Sequence, residues 1–163
     1  MNKSKLLRLI LFLFTIFSLC IFYDSVAKAG AGVNQEKYTF YSGDIKYEIS
    51  KPASAKNAGQ VTVLGTKNKN VKTVNIPKTV KNSSYTYKVE KIADSAFNGY
   101  SKLTEISIPS SVTALGNSVF SNCDNLKSIT LPNSVTSIGR GLFWSCDSLN
   151  KVKLSENLKQ IPD

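Results

Sequence analysis

Phenylalanine recurs at positions 97, 120 and 143, a constant spacing of 23 residues, and five further apolar columns keep the same step. Leu103, Leu126 and Leu149 form one, Ile106, Ile129 and Val152 another, and Ile108, Leu131 and Leu154 a third. The last two run Val89, Val112, Val135, Leu158 and Ile92, Leu115, Ile138, Ile161. One copy of 23 residues has nowhere to bury so many apolar side chains. Successive copies must therefore stack as coils, with the columns becoming continuous internal ridges.

Within each copy Leu-x-x-Ile-x-Ile ends in an alternation of period two, the pattern of a short strand with one buried face. Pro109 or Pro132 follows, lacks an N–H for a ladder, and stops the strand. Residues 112–116 and 135–139 then read as a second short extended piece turned by Gly116 or Gly139. The stretch around Val119-Phe120 and Leu142-Phe143 has room for a single helical turn. The run Leu103-x-x-Ile106-x-Ile108-Pro109-x-Ser111-Val112-x-x-Leu115-Gly116-x-x-x-Phe120-x-x-Cys123-x-x-Leu126 resembles the BspA-type leucine-rich repeats of bacterial secreted and surface proteins. The resemblance implies a β-rich solenoid whose coils each carry two short strands and a helical turn. It also implies a non-catalytic recognition role. Ser111 and Ser134 stand where commoner leucine-rich repeats place Asn or Cys, so no asparagine ladder is expected there.

Aligning Pro77 with Pro109 leaves nine extra residues before Phe97. They fall where Asn82-Ser83-Ser84 reads as a turn between extended flanks, a hairpin that starts the solenoid. Upstream, Tyr38, Phe40, the Ser42-Gly43-Asp44 turn, and Ile45, Tyr47 and Ile49 read as another hairpin, with a further strand in QVTVLG. The expected organisation is a signal peptide over 1–29, a β-rich N-terminal cap region over 30–70, and a solenoid over 71–163 of about three coils, the last incomplete.

The leader reading rests on basic Lys3, Lys5 and Arg8, an apolar run from Leu9 to Tyr23, and Ala27-Lys28-Ala29, with cleavage after Ala29. An uncleaved anchor is the alternative, although 15 residues are few for a span that needs about 20. A lipid-modified Cys20 is disfavoured because Leu19 precedes it. These features place the protein in secretion or at a bacterial cell surface, with no membrane span after cleavage.

Charge is uneven. Residues 30–91 hold 11 Lys against Glu36, Asp44, Glu48 and Glu90, a net of +7, while residues 92–163 balance six basic against six acidic groups. The densest part, Lys67, Lys69, Lys72, Lys78, Lys81, Lys88 and Lys91, would attract an anionic wall polymer in a salt-dependent way. The plainer reading is a solvated lysine surface that keeps the protein soluble. Nucleic acid is not an expected partner of an exported chain.

The 163 residues contain no histidine. This removes Ser-His-Asp and Cys-His catalysis and all histidine metal sites. The acids of the repeats, Asp94, Glu105, Asp124, Asp147 and Glu156, occupy polar positions with no apolar setting to raise a carboxyl pKa. No enzyme, metal or cofactor is expected.

Two stripes of outward strand residues, Glu105, Ser128, Lys151 and Ser107, Thr130, Lys153, form the expected concave ligand face for protein or glycan. A solvated face without a ligand is the alternative. Trp144 replaces Asn98 and Ser121 of earlier copies and is expected to face outward, either to stack on a partner or to cover the last coil. Cys123 and Cys146 are equivalents on adjacent coils. Side chains that run parallel about 4.8 Å apart exceed the roughly 3.5–4.5 Å between Cβ atoms that a bridge prefers. Tyr100 fills the same slot in the preceding copy, so a Cys123–Cys146 disulfide is disfavoured and space-filling thiols are expected. A last coil without a polar end cap suggests either a structural unit that self-associates at the C-terminal end or a truncated repeat unit, in both cases without a ligand of its own.

Overall fold

The computed structural model describes residues 38–162, so the leader and its cleavage site after Ala29 lie outside the described residues. Two hairpins begin the described chain. Strand β1 (Thr39–Ser42) returns as β2 (Ile45–Lys51) through a turn at Gly43-Asp44, and β2 pairs antiparallel with β3 (Gly59–Thr66). After β4 (Thr73–Asn75), β5 (Thr79–Asn82) and β6 (Tyr85–Ile92) form the hairpin around Ser83-Ser84, where Ser83 takes a left-handed φ of 54°.

Beyond β6 the period of 23 becomes geometry. The first strands of successive coils are β7 (Glu105–Ser107), β9 (Ser128–Thr130) and β11 (Lys151–Lys153), and the second are β8 (Ala114–Leu115) and β10 (Ser137–Ile138). Parallel pairing sets Ile92 against Leu115 and Leu115 against Ile138, each a step of one coil. β4 pairs with β7 at Val74↔Ile106, which is the Pro77–Pro109 alignment. The second strands continue the N-terminal sheet as β1-β2-β3-β6-β8-β10, with β5 beside β6. The first strands form two short ladders, β4–β7 and β9–β11; β7 lies next to β9 without being joined to it as a ladder.

The apolar columns fill the interior. Phe97, Phe120, Leu103, Leu126, Val112 and Val135 are fully buried. The rings of Phe97 and Phe120 stack at 5.8 Å and 5°, and those of Phe120 and Phe143 at 5.9 Å and 10°. Burial fades along the stack: Phe143 is half-buried, and Val152 and Ile161, the last members of their columns, are 41% and 64% exposed.

The expected helical turn is absent, and the described residues contain no helix. Half of the amides a helix needs are committed to the neighbouring coil. Ser95, Phe97 and Gly99 donate to the carbonyls of Asn117, Val119 and Ser121, and Ser118, Phe120 and Asn122 to those of Arg140, Leu142 and Trp144. The intervening amides of Ala96, Asn98 and Tyr100 close tight turns three residues back. Left-handed residues frame each such segment in two columns, Ser95, Ser118 and Gly141 at one end and Gly99, Asn122 and Ser145 at the other. A right-handed helix cannot pass through them. Gly116 and Gly139 also differ from expectation: each is glycine because the preceding coil passes too close, at Asp94 and Asn117 respectively, to admit a Cβ.

Phe120 has ring neighbours on both sides and Phe143 on one. Phe120→Ala should cost about 3–5 kcal/mol in urea denaturation, and Phe143→Ala distinctly less. A cost at Phe120 below about 1 kcal/mol would remove the ring stack from the account.

Candidate ligand-binding face

On β7 and β9 the middle residue is buried and its neighbours exposed, the ordinary alternation of a strand with one buried face, whereas on β11 all three residues are exposed, Val152 included. The outward side chains are therefore Glu105, Ser128 and Lys151 in one stripe and Ser107, Thr130 and Lys153 in the other, all exposed. Register aligns Lys151 with Ser128 and Lys153 with Thr130. The β4–β7 pairing adds Thr73 opposite Glu105 and Asn75 opposite Ser107, both exposed. These two stripe heads were missed in the sequence; the signal that could have found them was the alignment of Pro77 with Pro109. Charge varies along the first stripe from neutral Thr73 through anionic Glu105 and neutral Ser128 to cationic Lys151.

The seven lysines of the basic segment are all exposed, but they divide among three places. Lys67 and Lys69 follow β3, with their ammonium groups 5.0 Å and 5.8 Å from the ring centroids of Tyr41 and Tyr100. Lys72 and Lys78 flank β4, next to the stripe heads. Lys81, Lys88 and Lys91 project from the solvent side of β5 and β6.

Trp144 is 71% exposed. Its equivalent Ser121 is nonetheless buried, with its hydroxyl donating to the Gly141 carbonyl of the next coil at 2.8 Å. Polarity at that slot therefore does not mark an outward direction, because a small polar side chain can be covered and satisfied by the coil above it. Trp144 is exposed because it lies on the outermost described coil.

Cys123 and Cys146 are free thiols. Each donates one coil back, Cys123 to the Phe97 carbonyl at 3.2 Å and Cys146 to the Phe120 carbonyl at 2.9 Å. Tyr100 also reaches backward: its hydroxyl accepts from the Thr66 amide at 2.9 Å. Burial, reinforced by the neighbouring Cys146, pushes the Cys123 thiol up to about 12, and burial also raises that of Cys146. Both stay protonated near neutral pH and are poor nucleophiles.

A polar ladder also went unread in the sequence. The Asn117 amide donates to the Asp94 carboxylate at 2.8 Å and the Arg140 amide to the Asn117 side-chain oxygen at 2.9 Å. Positions 94, 117 and 140 share the 23-residue step but not a residue type, so no column was visible. Among the described residues no group of three or more Cys, Asp or Glu side chains is arranged to hold a metal ion, and no helix is long and apolar enough to cross a membrane.

The model of the BspA type leucine-rich repeat region matches residues 67–163 in six copies. The chain belongs to this family. Its fold is similar to that of the pneumococcal vaccine antigen PcpA, with a TM-score of 0.56 and 19% identity over 76% of this chain and 39% of that one. A leucine-rich repeat protein from Bacteroides capillosus is similar at a TM-score of 0.51, with 20% identity over 71% of this chain and 97% of the other. At these identities the likeness concerns the fold alone. This BspA-type chain spans well under half of the pneumococcal antigen. No curated protein matches it significantly.

The thiols provide a check on the packing. With no reductant present, Cys123 should resist alkylation at pH 8 in the folded protein, and both Cys123 and Cys146 should label after unfolding. An unfolded thiol ionises above its ordinary value of 9.0, whereas folded Cys123 holds its proton to about 12. Its contribution to stability is thus complete below about pH 9 and falls as the pH rises towards 12. Denaturant titrations across that range in wild type and Cys123→Ala measure the difference, with the variant expected to show the shallower fall.

Proposed function

We propose that this chain is a secreted or cell-surface recognition module that binds a protein, a glycan or an anionic wall polymer without catalysis. The observation that carries this reading is the pair of exposed polar stripes, in register within β4–β7 and within β9–β11. In each coil the buried types repeat while Glu105, Ser128 and Lys151 differ. A packed interior with a freely varied outer face is how a solenoid presents recognition chemistry. The export leader read at residues 1–29 supports the location, as does the family.

The stripes and the lysines predict different salt responses. Lys151→Glu combined with Lys153→Glu alters only exposed groups and should lower capture by a stripe-bound partner about tenfold or more while leaving stability unchanged. Binding of an anionic polymer through Lys81, Lys88 and Lys91 should instead collapse between about 50 and 200 mM salt, because exposed charges are screened over about a Debye length. Pull-downs from cell-surface extracts and wall polymer at the two salt concentrations separate these outcomes. Capture indifferent to the double substitution, with no polymer binding lost between the two salt concentrations, would contradict the recognition reading.

A second reading, a structural unit that self-associates, is favoured by one feature. Trp144, Val152 and Ile161 expose 71%, 41% and 64% of their surface on the outermost described coil. Burial of such apolar surface against a second copy is favourable. Sedimentation across a wide concentration range tests it, and a stable monomer throughout would exclude it.

A further inference from the structure

A cleft of about 420 Å³ opens where the β1–β2 turn, the end of β3 and strand β4 meet. This volume lies within the range of small-ligand sites. Its polar wall is Ser42, Asp44, Thr66, Thr73 and Asn75, and its apolar wall includes Ile45, Val74 and Pro77. The wall is held in place from behind. The Lys67 amide donates to the Asp44 carbonyl at 2.9 Å, and Thr66 donates through its amide to Tyr100 and through its hydroxyl to the Asn68 carbonyl at 2.7 Å.

Tyr47 also lines the cleft and is fully buried, yet its hydroxyl has no hydrogen-bond partner. A buried hydroxyl left in that state is destabilising, and the fold carries it at the cleft rather than using phenylalanine. Burial keeps this phenol protonated, pushed up to about 12, so it remains a donor.

We propose that the cleft binds a neutral sugar residue, with the Asp44 carboxylate accepting from ring hydroxyls and the unpartnered Tyr47 hydroxyl, covered in the free protein, gaining a ligand oxygen as its partner. A sugar ring offers hydroxyls at its rim and C–H groups on its faces, which suits a wall divided between Ser42, Asp44 and Asn75 on one hand and Ile45, Val74 and Pro77 on the other. An anionic ligand is disfavoured by the wall itself. Lys46, Lys67, Lys72 and Lys78 each adjoin a wall residue in the chain, yet none of them lines the cleft. Thr73 and Asn75 belong both to the cleft and to the stripe heads, so an oligosaccharide seated here continues naturally onto the exposed face.

This proposal rests on the recognition reading above and deepens it. The test is saturation-transfer NMR with calorimetry on the full chain. One arm uses N-acetylglucosamine oligosaccharides, the neutral sugar of wall glycan, and the other neutral hexose oligosaccharides; these separate a wall source from a foreign one, and binding in either arm supports the proposal. Asp44→Asn and Tyr47→Phe should each weaken binding about tenfold or more, and uronate oligosaccharides should bind less tightly than neutral ones. Tyr47→Phe should also keep or raise the melting temperature, since it removes an unpartnered buried hydroxyl, so loss of binding cannot be blamed on misfolding. Absence of saturable binding in both arms, or binding indifferent to both substitutions, overturns the proposal. If that happens while Lys151→Glu with Lys153→Glu still abolishes surface capture, the cleft assignment alone falls and the recognition reading stands.

Discussion

Contact between equivalent residues on adjacent coils is the interaction on which everything else depends. Phe97, Phe120 and Phe143 stack face to face, and the amides on either side of each ring in the first two coils reach across to the next backbone. Ring and ladder are mutually dependent. The ladder sets a separation at which flat rings meet, and the rings exclude water from a row of backbone bonds with no helix or wide sheet to shelter them. The same arrangement dictates the left-handed column of Ser95, Ser118 and Gly141, because only that backbone turn points alternate amides at the neighbour.

The exposed face follows from this interior. Because the buried positions recur with identical spacing, the outward positions must also fall into register, and Glu105, Ser128 and Lys151 become one stripe whatever their chemistry. The coils can then be edited on the outside without disturbing the stack. Cys123 and Cys146 belong to the inside of this division: recurrent, backward-facing, protonated, and matched by Tyr100 in the coil before them. Their repetition reflects packing, not a duplicated reactive centre.

Most of this was legible in the sequence, for a physical reason. Apolar columns at constant spacing admit few arrangements, so the stacked coils, the strand frame ending at Pro109 and Pro132, and the turns at Ser83-Ser84 and Gly43-Asp44 could be read residue by residue. What escaped notice depended on contacts between coils that carry no residue signature. A stretch four or five residues long looks helical until its amides are seen to be engaged elsewhere. The glycines at 116 and 139 resemble turn formers until Asp94 and Asn117 are seen beside them. Asp94, Asn117 and Arg140 form a ladder through side-chain oxygens, both of them at Asp94 and one at Asn117, which three different residue types conceal. The cleft containing Tyr47 was unreadable because its walls come from four separate strands.

Coil-to-coil contact, rather than local structure within a coil, holds this chain together. Native-state hydrogen exchange of the Phe97, Gly99, Ser118, Phe120 and Asn122 amides tests it most directly, since these groups donate only between coils. They should be protected together and open with the same free energy as the amides of β6 and β8, as one cooperative unit. Exchange of these five amides at unfolded rates, while the strands remain protected, would contradict it.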